Sequence, residues 1–139
     1  EVSPDVIRQA GISTARAAYK VYLKRNYEAI ILSGGARSTF HWTELVGKGM
    51  AMTLGWGLAE TLIREHHPVV SRIQESAPSE TIEELRQKFP DFIRACDAEA
   101  LKPEGFRSYG PVVRFQNIFL NGFATLIKEI QSRRKGDEK

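Results

Sequence analysis

Two short continuous apolar runs, each ending in a serine-glycine or glycine-rich turn, constrain the fold of this chain most strongly. Residues 29–32 read Ala-Ile-Ile-Leu, and residues 50–54 read Met-Ala-Met-Thr-Leu. Continuous apolar runs of this length are typical of strands buried on both faces, which belong to parallel sheets. Helical patterns precede, separate and follow the two runs. This order predicts an α/β fold built from β/α repeats.

The first helix has clear start and stop signals. Residues 3–5 read Ser-Pro-Asp, which combines an N-cap residue, a proline at the first helical position and an acid in the first turn. Asn26 follows two basic residues where a left-handed residue commonly ends a helix. Its apolar stripe recurs at three- and four-residue spacing: Ile7, Ala10, Thr14, Ala15, Ala18, Tyr22 and Leu23. Three basic residues fall largely away from that stripe, on the polar side: Arg16, Lys20 and Lys24.

Further helices are predicted between and after the strands. One runs from residue 38 or 39 to 46 and ends in the Gly-Lys-Gly turn of residues 47–49, and another covers residues 58–65. Beyond Pro68 no strand-like run follows. Thr81 and Glu84 form a capping-box pattern, Pro90 restarts the helix, and residues 102–105 read as a loop.

The last helix is predicted to start at Gly110-Pro111 and carries a broad apolar stripe. Its members are Phe115, Ile118, Phe119, Phe123, Leu126, Ile127 and Ile130. Such a stripe faces either the core or a partner, and the core is the commoner outcome. We therefore expect two regions, a β/α segment over residues 1–67 and a helical extension over 68–139 with a solvated, frayed basic tail.

Charge argues against a nucleic-acid surface. The chain has 139 residues and a net charge of +3, and residues 128–139, with five basic and three acidic residues, supply +2 of it. The remainder is near neutral, whereas nucleic-acid binding needs clustered Lys and Arg on one face. The apolar runs are far below the roughly 20 residues of a membrane span. We therefore expect neither a nucleic-acid nor a membrane partner.

Cysteine use and the N-terminus favour a cytoplasmic protein. Cys96 is the single cysteine, so no intrachain disulfide forms, and its apolar neighbours predict a buried thiol. The N-terminus lacks both a signal pattern and an initiating Met, so we expect Glu1 to be a cut end. His66 and His67 are adjacent and have no further ligand at metal-binding spacing, so no metal site is predicted.

The segment after the first strand is the strongest candidate site. Ser33, Gly34, Gly35 and Arg37 lie where the strand ends and the next helix begins. Ligands of parallel α/β proteins bind at the carboxyl ends of the strands. Glycines let backbone N–H groups approach an anion, and an arginine can contact two phosphate oxygens. The alternative is a tight turn with its arginine in solvent. Local physics thus leaves phosphate binding and a plain turn both open.

Other candidate site residues have weaker functional signals. Trp56 follows the second strand and either lines a pocket or packs under a helix. His41 and Glu44 are spaced for a contact across one helical turn, although packing of the aromatic residues around them is the commoner outcome. No nucleophile elbow or carboxylate pair is identifiable. The chain shows no complete catalytic set.

Residues 12 to about 65 resemble the C-terminal part of transaldolases, class I aldolase-type enzymes with a β/α barrel fold. In that family a helix of the form A-x-x-x-Y-x-x-Y/L-K-x-x-x-Y leads into the seventh strand, which ends in a G-A-S-F-R-like motif. The counterparts of the helix motif here are Ala15, Tyr19, Leu23, Lys24 and Tyr27. The counterpart of the strand-end motif is residues 33–37, Ser-Gly-Gly-Ala-Arg, which lacks the serine and the aromatic residue before the arginine.

The resemblance implies that this chain is the C-terminal section of a transaldolase-like TIM barrel, with the seventh and eighth β/α units, since two strands cannot close a barrel. The enzyme would transfer a dihydroxyacetone unit between sugar phosphates, a pentose phosphate pathway reaction, with no cofactor. Arg37, Ser33, Gly34 and Gly35 would bind the substrate phosphate, and Trp56 would form a pocket wall. The family's Schiff-base lysine and acidic partners lie on earlier strands.

The lysines present do not match the family's Schiff-base motif: Lys20, Lys24 and Lys48. We therefore expect this chain by itself to be inert, with the N-terminal part of the barrel in the same or a companion chain. Two alternatives stay open, a sugar-phosphate lyase of the same fold and a non-catalytic helical binding module derived from it. Exposed barrel edges would also favour a homo-oligomer.

Overall fold

The computed structural model describes residues 1–136, and it is mostly helical with two short parallel strands. Its elements in chain order are α1 (Pro4–Arg25), β1 (Ile31–Ser33), α2 (Thr39–Leu45), β2 (Met50–Met52), α3 (Trp56–Glu65), α4 (Ser79–Lys88), α5 (Pro90–Cys96), a 3₁₀ helix (Pro103–Ser108) and α6 (Gly110–Gly136). Within the described residues, no helix is long and apolar enough to span a membrane.

Helix α1 begins and ends as its sequence predicts. Ser3 Oγ accepts a hydrogen bond from the Val6 backbone N–H at 3.3 Å, which satisfies one of the free donors of the first turn. Asn26 adopts the left-handed conformation with φ of 51°, and its N–H donates to the Leu23 carbonyl at 3.2 Å. Short-range capping chemistry therefore fixes both ends of this helix.

Strands β1 and β2 pair in parallel, with Ile31 opposite Met50 and Ser33 opposite Met52. Helix α2 connects them, and the turn into β2 passes through Gly49, whose φ of +83° favours glycine. The predicted burial on both faces is wrong, because Leu32 is 65% exposed while Ile31 packs against the core. The physical reason is that only one face of this two-stranded sheet is covered.

The core of the first compact unit, Glu1–Ala100, joins α1 to the strands and to the segment after α3. Its buried members are Ile12, Tyr19, Leu45 and Ile73. Tyr19 also donates its hydroxyl to the Lys48 carbonyl at 2.8 Å, so its polar end is satisfied inside the core. Helices α4 and α5 belong to this unit and contact α1.

The capping box predicted at Thr81 and Glu84 is wrong. Helix α4 begins three residues earlier than Thr81 as N-cap would require, at Ser79, with Pro78 as N-cap and no side-chain cap bond. The Ile82 N–H already donates to the Pro78 carbonyl, so Thr81 lies inside the first turn. Pro90 does start α5 as predicted, since its missing N–H costs nothing at a first helical position.

The second compact unit is Leu101–Lys139. The predicted loop at residues 102–105 is largely a 3₁₀ helix, Pro103–Ser108, which contacts α6. Helix α6 begins at Gly110 as predicted and continues to Gly136, so residues 128–136 are helical rather than frayed. Residues 137–139 of the predicted tail lie outside the described residues. Phe115, Phe119 and Phe123 are each 64% exposed, so the interpretation of the α6 stripe as core is wrong.

Candidate functional site

The carboxyl ends of β1 and β2 lie side by side and hold the loop predicted as a phosphate site. The Thr53 N–H donates to the Ser33 carbonyl at 3.0 Å, directly after the paired strands. The Ala36 N–H donates in turn to the Thr53 carbonyl at 3.2 Å. Between them Gly35 has a φ of +69°, which other residues rarely adopt. The loop after β1 therefore folds back across the end of β2.

The side chains of this loop are accessible. Ser33 is half-buried, whereas Gly34, Gly35 and Arg37 are exposed. Within residues 1–136, Arg37 makes no hydrogen bond or ion pair. An accessible guanidinium has five N–H donors for an anion. The structure thus brings the four predicted residues to one strand end and leaves the arginine without a partner in the described part of the chain.

His41 lies in the first turn of α2 and contacts Ser38, not Glu44 as the spacing had allowed. The Ser38 Oγ and His41 Nδ1 atoms are 2.9 Å apart, so the hydroxyl engages the ring instead of capping the helix. Burial lowers the pKa of His41 from its ordinary 6.5, and the positive charges of Arg8 and then Arg37 lower it further. These effects favour the neutral form of the ring close to the candidate anion site.

Glu44 instead joins a buried charge network that the sequence did not reveal. Arg16 is 4% exposed, and its Nη2 donates to Glu44 Oε2 at 3.0 Å and to the backbone carbonyls of Glu44 and Arg72. Arg72 Nη1 donates to Glu44 Oε1 at 3.0 Å. The periodicity of α1 placed Arg16 on the polar side. That side is covered by α2 and the segment at Arg72, and no local signal predicts this covering.

The residue predicted to form a pocket wall is Trp56. Trp56 is the first residue of α3 and is 79% exposed. An open cavity of about 220 Å³ lies between α2 and β2, lined by Trp42, Leu45, Met50 and their neighbours. Another of about 330 Å³ is lined by residues including Phe40, His67 and Arg72. Neither of these two cavities includes the loop of residues 33–37, which opens directly to solvent.

Cys96 and the adjacent pair His66 and His67 make contacts within the fold of this chain. Cys96 is half-buried, with its Sγ 3.7 Å from Thr14 Oγ1, and burial raises the pKa of its thiol. A thiol with a raised pKa is a poor nucleophile at neutral pH. His66 ends α3 in the left-handed conformation, and His67 Nε2 lies 2.7 Å from Glu65 Oε2. Within residues 1–136 no group of three potential metal ligands is present.

Searches against protein-family models, curated proteins and solved structures find no match for this chain.

Proposed function

We propose that this chain is the C-terminal section of a transaldolase-like enzyme and holds the phosphate group of a sugar-phosphate substrate. In this proposal β1 and β2 are the seventh and eighth strands of a TIM barrel. The observation that carries the proposal is the parallel pairing of β1 with β2, which brings the loop of residues 33–37 to the carboxyl end of both strands. Substrates of β/α barrels bind at that end.

Four residues of the loop have roles that their geometry supports. Arg37 binds two phosphate oxygens, because its guanidinium is exposed and has no described partner. Gly34 and Gly35 allow backbone N–H groups to approach the anion, since neither has a Cβ and no other atom lies within 4 Å of where one would be. Ser33 adds a hydroxyl at the strand end. Together they bind and orient the phosphate.

The exposed face of β1 supports the assignment to a larger barrel. In a closed parallel barrel both faces of every strand are covered, by the barrel interior and by the outer helices. Here Leu32 lies on the open face. Further strands would cover such residues and would supply the lysine that forms the Schiff base with the ketose. The contribution of this chain to the reaction is then substrate binding, and dihydroxyacetone transfer needs the remaining strands.

The phosphate site is tested by titrating the isotope-labelled chain with fructose 6-phosphate and following the backbone amides by NMR. We expect the amides of Gly34, Gly35 and Arg37 to shift with fructose 6-phosphate and not with fructose. The Arg37→Gln variant should lose these shifts. Arg64→Gln is the matched control, because it removes an exposed arginine in the last turn of α3.

Equal shifts with fructose would show that the phosphate is not recognised. Loss of binding in both arginine variants would indicate nonspecific attraction to positive charge. Either result, or the absence of any shift at the loop, refutes the assignment of these residues and leaves the non-catalytic binding module as the better interpretation.

A further inference from the structure

Helix α6 carries an apolar face whose spacing is the same in both directions along the chain. From Phe115 the residues on this face follow at steps of four, three, four and four through Phe119, Gly122, Leu126 and Ile130. Counted backward from Ile130, the same steps of four, three, four and four lead through Leu126, Phe123 and Phe119 to Phe115. The pattern is therefore symmetric about the midpoint between residues 122 and 123.

A second copy related by a two-fold axis at that midpoint would meet the first copy with apolar residues throughout. The symmetry pairs Phe115 with Ile130 and Phe119 with Leu126 of the other copy, while Ile118 and Ile127 lie at the two margins of the face. At the axis the Phe123 rings of the two copies would meet on one side of the interface, and the two Gly122 residues, where the space that a Cβ would occupy is open to a distance of 4 Å, would meet on the other. Self-complementarity of one patch is the requirement for a two-fold interface.

The charges beside this face favour an antiparallel arrangement. Arg114 and Glu129 are 15 residues apart, which is four turns plus about 60°, so both lie on the same side of the helix. Both are exposed, and within the described residues neither forms an ion pair. An antiparallel copy brings Arg114 near the opposite Glu129 at both ends of the interface. A parallel copy would place these side chains on opposite sides of the interface, where they form no pair.

The exposed apolar area of α6 is also large enough for a stable dimer interface. A phenylalanine buries about 150–250 Å² when fully covered, so three that are 64% exposed offer roughly 300–500 Å². A standard interface buries about 800 Å² on each partner. The three phenylalanines thus supply about half of that area before Ile118, Leu126, Ile127 and Ile130 are counted, and each of these is at least 38% exposed.

We propose that α6 is the interface of an antiparallel homodimer of this chain, with its two-fold axis between Gly122 and Phe123. The proposal rests on the second compact unit alone and does not depend on the sugar-phosphate site.

The test measures the mass of the full chain in solution by light scattering and sedimentation across a range of concentrations. We expect a species of twice 15.7 kDa. Phe119→Glu should be monomeric at concentrations where the unchanged chain is dimeric. Leu120→Glu is the matched control, because Leu120 is 56% exposed but its symmetry position is Thr125, outside the apolar pattern. This variant should stay dimeric.

Charge reversal tests the orientation. Arg114→Glu should weaken the dimer about tenfold, since two attractive pairs become repulsive, and the double variant Arg114→Glu with Glu129→Arg should restore it. A monomeric unchanged chain, equal effects of the Phe119 and Leu120 changes, or an Arg114→Glu variant that associates normally would each overturn the proposal. All these positions are exposed, so circular dichroism should show unchanged helix content in every variant.

Discussion

Replacing Gly47 by alanine should destabilise the first compact unit through one specific overlap. A Cβ at this position would overlap Ile73 Cγ2 and would lie 2.9 Å from Ile73 Cβ. Ile73 cannot easily move away, because it is 1% exposed and belongs to the core. Its N–H also donates to the Val46 carbonyl at 3.0 Å. Gly47 does not have a positive φ, so backbone strain does not contribute.

The size of the effect follows from these contacts. Overpacking a core by one carbon costs about 1–3 kcal/mol. If the chain shifts to relieve the overlap, the bonds from the Arg72 and Ile73 N–H groups to Val46 weaken, each worth about 0.5–1.5 kcal/mol. A smaller gain of about 0.4–1 kcal/mol comes from the less flexible unfolded chain. We therefore expect Gly47→Ala to lower the free energy of unfolding by about 2–3 kcal/mol.

Urea unfolding followed by tryptophan fluorescence measures this change in the correct unit, because both tryptophans, Trp42 and Trp56, lie within residues 1–100. Gly57→Ala is the matched control, since a Cβ there would meet nothing within 4 Å and the change should be neutral or slightly stabilising. Combining Gly47→Ala with Ile73→Ala should cost about 1–3 kcal/mol less than the two single changes added together. A Gly47→Ala variant as stable as the unchanged chain, or strictly additive changes, would refute the overlap argument.

Three further predictions concern the charged residues and the chemistry. Glu44→Ala should lower the free energy of unfolding by about 3–5 kcal/mol in the same urea assay, because Arg16 would keep a buried charge without its carboxylate partner. A change below about 1 kcal/mol would contradict a stabilising role for the Arg16–Glu44 ion pair. The pKa of His41, measured by NMR titration, should lie below 6.5 and should rise in Arg37→Gln while staying below 6.5, since burial is the larger cause. The folded chain binds the His41 proton more weakly than the unfolded chain does. The contribution of His41 to the free energy of unfolding is therefore complete above pH 6.5 and is lost as the pH falls through the folded-state pKa. A His41→Gln variant should lack this acid-dependent loss of stability. Borohydride with fructose 6-phosphate should add no mass to this chain, whose lysines do not match the Schiff-base motif, and a trapped adduct would contradict that assignment.

Features determined by neighbours in sequence were predictable. The cap at Ser3, the left-handed end at Asn26, the restart of a helix at Pro90 and the start of α6 at Gly110 all follow from side chains and backbone within a few residues. The parallel pairing of the strands was also predictable, because continuous apolar runs joined through a helix leave few other arrangements. The same logic located the loop of residues 33–37 at a strand end.

Features that depend on distant contacts were not predictable. Arg16 has the periodicity of a solvent-facing residue, yet Glu44 and Arg72, 28 and 56 residues away, enclose it. The α6 stripe has the periodicity of a core face, yet it is exposed. Hydrophobic periodicity shows which side of a helix is apolar, but it carries no information about what covers that side.

The sequence by itself therefore determined both ends of α1, the starts of α5 and α6, and which side chains come together at the end of β1, because capping, turn conformation and strand patterning act over a few residues. Only the tertiary structure decided that Gly47 lies against Ile73, that Arg16 is buried, and that the apolar face of α6 is exposed. These properties are set by chain segments far apart in sequence, whose approach depends on the packing of the whole unit.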